Sequence, residues 1–161
     1  MTTMTTPFKR QILDDANQQK TVDLLQQNLV NLVDLALLLK QAHWNVVGHN
    51  FRSVHLQLDE IIASVREASD EVAERISALG LPPDGRSSTV AEKTDLASYP
   101  SDFQQVPETI SRVADALKTT VDQLREAIAS LGDLDPISED MCIGISGVLE
   151  KHLWMVQSQE V

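Results

Sequence analysis

The chain contains a single cysteine, Cys142. A lone thiol excludes an internal disulfide framework and agrees with a reducing compartment. Aromatic residues make up only 4% of the sequence, so a core has to be filled by Leu, Val and Ile. Bases are scarce as well: 13 Lys and Arg stand against 24 Asp and Glu, for a formal charge of −11. Binding to phosphate backbones or anionic lipid needs the opposite balance, so bulk electrostatics disfavour nucleic acid and membrane surfaces. The longest uncharged apolar run is LALLL, residues 35–39, far short of a membrane span. The opening MTTMTTPFKRQ has no apolar segment of the kind a signal peptide needs, so a soluble, cytoplasmic protein is expected. Sustained strand alternation is also missing.

What is present is helical periodicity. With 161 residues, 42% of them hydrophobic, the chain suffices for one domain with a real core. Four apolar stripes run along it. The first is Val22, Leu25, Leu29, Leu32, Ala36 and Leu39. The second is Val54, Leu58, Ile61, Val65, Ala68, Val72, Ile76 and Leu79. The third is Val106, Ile110, Val113, Leu117, Val121, Leu124, Ile128 and Leu131. The fourth is looser: Ile137, Met141, Ile145, Val148 and Met155. The spacings predict helices over 14–45, 50–79, 103–131 and 136–157, preceded by a flexible tail over 1–13, with the bundle domain spanning 14–161. Extra leucines off the first stripe, Leu24, Leu35 and Leu38, predict burial on a second side, against another subunit.

Short connections, VVGHN and GDLDP, make the first and second helices antiparallel neighbours, and likewise the third and fourth. Between the second and third lie about two dozen residues, which at ~3.3 Å each reach roughly 75 Å. The second helix is only about 45 Å long. The connection can therefore run back along the whole bundle, as in an all-α, ferritin-like four-helix bundle with one long crossover. The segment TVAEKTDL inside it is expected to form a short helix.

The second helix carries polar residues beside its stripe. At about 100° per residue, His55, Asp59, Asp70 and Glu74 fall near 0°, 40°, 60° and 100°, on one face. Pairs spaced i, i+4 bring two side chains within reach of one ion. His43 lies across the turn from His55. Asp59 and Asp70 are nevertheless about 16 Å apart along the axis, too far for one site. An antiparallel two-fold pairing of two such helices would bring His43, His55 and Asp59 of one copy to Asp70 and Glu74 of the other. The axis would then pass near Ser64 and Val65. Two imidazoles with three carboxylates suit iron, manganese or zinc. The Glu-x-x-His pairs of an intra-bundle di-iron site are missing, the nearest approach being Glu150 and His152.

The pattern His43-x11-His55-x3-Asp59-x10-Asp70-x3-Glu74, with Trp44 after the first histidine, GHNF in the turn, SYP in the crossover and LW near the end, resembles the Dps proteins, the miniferritins of starved bacteria. The resemblance covers residues 14–157. It implies a hollow dodecamer storing ferric oxyhydroxide, with a ferroxidase site between subunits that oxidises Fe(II), preferentially with hydrogen peroxide. Carried over, His43, His55 and Asp59 bind iron (Fe2+/Fe3+), as one ion or two, together with Asp70 and Glu74 of the two-fold mate. On that pattern Trp44 is an electron relay; core packing is the plainer reading. Asp135, Glu139 and Asp140, with Asp133, would line a three-fold pore, although acids at a helix start also serve simply as caps. His49 is expected in solvent, His152 as a hydrogen-bonded core or interface residue, and Cys142 as a buried small hydrophobe.

DNA binding departs from the family name. The first twenty residues hold Lys9, Arg10 and Lys20 against Asp14 and Asp15, so weak or no affinity is expected at physiological salt. The competing readings are a nucleoid-associated DNA-compacting protein with vestigial iron chemistry and a purely structural helical bundle.

Overall fold

The computed structural model describes residues 6–161. Its elements in chain order are helix α1 (Asp15–Asn45), strand β1 (Val46–Val47), helix α2 (Phe51–Ala78), helix α3 (Ser87–Lys93), strand β2 (Gln104–Gln105), helix α4 (Val106–Leu131) and helix α5 (Pro136–Gln157). α1 packs along α2 and α4 along α5, two antiparallel hairpins that close into a bundle, and α3 lies on α1 inside the crossover.

Local chemistry sets the ends. Asp14 caps α1, its carboxylate accepting from the backbone N–H of Ala16 and Asn17 at 3.1 and 3.0 Å. α4 begins at Val106 rather than at the predicted 103, because Gln104 and Gln105 pair in parallel with Val46 and Val47. That small ladder ties the α1–α2 turn to the start of α4. Pro107, lacking an N–H, fits the first turn that follows.

The core is aliphatic, as the scarcity of aromatics demands. Leu25, Leu32, Leu35, Leu39, Leu58, Ile61, Ile76, Leu117, Leu124 and Leu149 are fully buried, each contributing roughly 2–3 kcal/mol of transfer free energy. The stripes predicted for α2 and α4 face this core. Two expectations are corrected. On α5, Ile137 and Val148 face outward at 65% and 47% exposure, and the buried side runs through Ser138, Cys142, Ile145, Ser146 and Leu149. On α1, Leu35 and Leu38 are buried within this one chain, since the crossover and α4 cover that side. Their burial needs no second subunit; Leu37 is the leucine left exposed.

The crossover is fastened to α1 by side-chain amides. Gln26 exchanges hydrogen bonds with the backbone of Asp84, 2.8 Å in each direction. Buried Asn31 donates to the Asp95 carboxylate at 2.9 Å and accepts from the Asp95 N–H at 3.0 Å. Thr94 donates to Asp34 at 2.6 Å. By length and composition α1 could span a membrane, but 61% of its most apolar window is buried inside the fold, which accounts for that apolarity. Residues 1–5 of the predicted tail lie outside the described residues; of the remainder, Thr6 lies against Gly80 at the end of α2.

Candidate metal centre

The last turn of α1 and the second turn of α2 each present a histidine, and the connection between the helices brings the two together. Gly48 takes φ +105° and Asn50 φ +63°, left-handed conformations that reverse the chain within a few residues. The rings of His43 and His55 stack with centroids 3.6 Å apart and planes 20° from parallel. Nδ1 of His43 lies 2.8 Å from the backbone oxygen of His55, and Nδ1 of His55 lies 2.8 Å from the backbone oxygen of His43. A carbonyl can only accept, so both rings carry their proton on Nδ1. Each Nε2 keeps its lone pair for a ligand. The two helices thus fix tautomer and orientation with backbone atoms alone.

Asp59 follows His55 by one turn of α2. Its Oδ1 accepts from Lys40 Nζ at 2.6 Å and lies 3.5 Å from His43 Nδ1. The hydrogen bond from Lys40 chiefly holds the Asp59 carboxyl below its ordinary range, against the opposing cost of desolvation and with help from the Lys40 charge and the neighbouring His43 and His55. It is a carboxylate at neutral pH. Asp70 and Glu74 stand exposed further along α2, and neither makes an ion pair or side-chain hydrogen bond among the described residues. Among those residues, no three His, Cys, Asp or Glu side chains gather closely enough to hold an ion. One chain stacks His43 on His55 and sets Asp59 near His43, while Asp70 and Glu74 stand apart from them.

Of the residues expected at the two-fold axis, Val65 is fully buried in the core stripe and Ser64 is bonded to His152 at 3.0 Å. The surface at that height on the site face consists of Ala63 and Arg66, both exposed and at about 80° and 20° from His55. Trp44, 66% exposed, does not pack in the core of its own chain. His49 is exposed in the turn. His152 is half-buried as expected, and burial lowers its basicity. Cys142 is buried, which pushes its thiol up to about 11.

The acids around the α4–α5 turn separate into different roles. Asp135 is buried and bonded to Arg75 and Ser138, so its carboxylate faces into the fold. Glu139 is half-buried against Gly132. Asp133 is exposed, and so is Asp140, which lines an open groove of ≈ 400 Å³ with Glu67 and Glu71 of α2. Two contacts were not anticipated from sequence. Lys40 precedes His43 by three residues on α1, a spacing that places both on one helix face and could have revealed it. Arg75 and Asp135 have no local signal to join them.

Residues 22–160 match the ferritin-like domain family. The DNA protection during starvation protein of Mycolicibacterium smegmatis is 36% identical over 158 residues, covering 98% of this chain and 84% of that one. The protein of the same name from Agrobacterium fabrum is 31% identical over 145 residues, covering 89% and 90%. Among solved structures, the tetragonal form of Mycobacterium smegmatis Dps superposes with a TM-score of 0.91 at 35% identity, over 96% of this chain and 94% of that one. Dps from Microbacterium arborescens in the high iron form gives 0.88 at 34% identity, over 93% and 98%. A bundle with this crossover, matched almost end to end in sequence and in structure, makes the chain a member of the ferritin-like domain family, in its Dps branch of miniferritins.

Proposed function

We propose that the chain is a subunit of a hollow, cytoplasmic Dps-like cage, a dodecamer on the family pattern, that oxidises Fe(II) and stores the Fe(III) produced. Membership of the Dps branch supports a role in iron storage and DNA protection. The observation that carries the chemistry is the reciprocal backbone clamp on His43 and His55, which leaves two imidazole Nε2 lone pairs free, with Asp59 one helical turn after His55 and 3.5 Å from His43 Nδ1. Neutral imidazole and hard carboxylate oxygen together suit ferrous iron.

In this reading His43, His55 and Asp59 hold the substrate ion or ions with Asp70 and Glu74 of a second copy. One chain then supplies only part of the ligand set. Carboxylates stabilise Fe(III) more than Fe(II) and so favour loss of the electron. Hydrogen peroxide is the oxidant: two Fe(II) each give one electron, the O–O bond breaks, and two protons complete two waters. Splitting peroxide by two electrons in this way keeps hydroxyl radical from forming. Trp44, which follows His43 in sequence and is exposed, is the electron relay in this reading, on the family pattern. With Asp135 turned inward, Asp133, Glu139 and Asp140 are the acids that remain for a cation entry path.

Mixed assemblies test the shared site. One variant carries His43→Ala and His55→Ala; the other carries Asp70→Ala and Glu74→Ala. Each alone should be inactive in peroxide-driven iron oxidation, followed by near-ultraviolet absorbance. Particles co-assembled from equal amounts should regain about a quarter of wild-type activity, because half the two-fold pairs are mixed and one of their two sites is intact. No recovery in verified mixed particles would show that the two groups do not meet.

The rival reading, DNA compaction, predicts salt-sensitive DNA retention that disappears when residues 1–12 are deleted. With a formal charge of −11 per chain, little or no plasmid shift is expected at ~0.15 M salt.

A further inference from the structure

Among the described residues, Lys40 is the one Lys or Arg that makes an ion pair at the candidate metal centre. Its stem leaves α1 one turn before His43, and its side chain is 23% exposed. Nζ sits 2.6 Å from Asp59 Oδ1, and the ammonium has no other hydrogen-bond partner among the described residues. This is the carboxylate that stands beside the paired histidines. Lys40 therefore places a fixed positive charge on the oxygen that a divalent cation would seek.

We infer that Lys40 is an internal competitor for the metal position at Asp59, a positioning and affinity-setting residue rather than a ligand. The inference rests on the reading of His43, His55 and Asp59 as iron ligands. In the metal-free state the ammonium neutralises the carboxylate, so the partial site carries no unbalanced charge. A metal ion approaching the two Nε2 atoms must detach Asp59 from Lys40 or share it at the cost of a weaker hydrogen bond. Lysine suits this exchange. It is a compact point charge on a flexible four-carbon stem, whereas arginine would grip the carboxylate with a planar fork. The consequence is a weakened hold on the ion, which fits a site whose iron is a substrate that has to leave.

Cobalt(II), which resists oxidation under argon, is the probe. It is titrated by calorimetry into the assembled full-length protein. Lys40→Met keeps the stem and removes the charge, and should tighten the histidine-dependent binding by on the order of three- to tenfold, the scale of a partly exposed ion pair plus relieved repulsion. Lys40→Arg, with the cation retained, should bind no tighter than wild type. In an Asp59→Asn background the gain from Lys40→Met should largely vanish, since no carboxylate remains to be released. Unchanged or weaker binding in Lys40→Met would overturn the inference, and so would an equal gain with Asp59→Asn present. Loss of binding in His43→Ala identifies the site being measured. If cobalt binding is histidine-dependent but indifferent to Lys40, only the competitor role fails. If no histidine-dependent binding occurs in wild type, the ligand assignment fails with it.

Discussion

Nη2 of Arg75 lies 2.6 Å from Oδ2 of Asp135, 60 residues further along the chain, and Nε of the same guanidinium donates to Ser138 at 3.0 Å. The pair joins the end of α2, one residue beyond Glu74, to the start of α5. Burial would raise the Asp135 carboxyl, but the hydrogen bonds from Arg75 and Ser138, with the guanidinium charge, outweigh it and hold the group below its ordinary 3.8.

Arg75→Met should therefore destabilise the protein by about 3 kcal/mol, because it strands a buried carboxylate without its partner. The pH dependence follows from the depressed value. A group that binds its proton less tightly when folded contributes stability above its unfolded value of about 3.8 and loses it as pH falls through the folded value. Wild type should hold this contribution at neutral pH and shed it only in acid below about 4. In Arg75→Met the deficit should be largest at neutral pH and shrink in acid, where protonation relieves the stranded carboxylate. Thermal unfolding across a pH series measures both; coincident profiles for the two proteins would contradict the coupling.

The same pair shows where sequence reading ends. The stripes of α2 and α4 were legible because those helices have one apolar face and one charged face. α5 was misread because Ile137, Ile143, Val148 and Trp154 lie outward while small Ser138 and Ser146 lie inward, so hydrophobicity does not mark its buried side. That His55, Asp59, Asp70 and Glu74 share one face of α2 was visible in spacing, since rise and angle per residue are fixed by helix geometry. The Nδ1 clamp, the Lys40 contact and the Arg75–Asp135 pair were not, because each depends on how two helices sit against each other.

Gly48 holds the turn that positions both histidines. Its φ of +105° strains any residue with a side chain, and an added Cβ would lie 2.5 Å from Gln105 Oε1. Gly48→Ala should cost ~1–3 kcal/mol of stability. Combining it with Gln105→Ala should recover only the part due to the collision, leaving the backbone cost. Denaturant unfolding of the single and double variants resolves the two contributions; full recovery in the double variant would mean the backbone is not strained.

Asn31 is fully buried and gives both of its polar atoms to Asp95. Asn31→Ala removes an acceptor from the Asp95 N–H and a donor from its carboxylate, at about 1–3 kcal/mol. The loss should be local, because α3 and the flanking crossover lie outside the two helical hairpins. Limited proteolysis should cut between residues 82 and 105 faster in this variant while the rest of the chain stays resistant. Cleavage spread over the whole chain would instead indicate global unfolding.

Cys142 reports on the core of α5. Its side chain is fully buried, and desolvation pushes the thiol up to about 11. Only the thiolate attacks a disulfide reagent, so both exposure and charge work against reaction in the native protein. A thiol-specific aromatic disulfide at pH 8 should label the native protein slowly and the urea-unfolded chain at once. Cys142→Ser should cost stability, since it places a hydroxyl among apolar neighbours without a partner, whereas Cys142→Ala should cost less despite the lost volume. Rapid labelling of the native protein would mean that α5 opens readily, and the packing of Ile145 and Leu149 beside it would then have to be weaker than their burial implies.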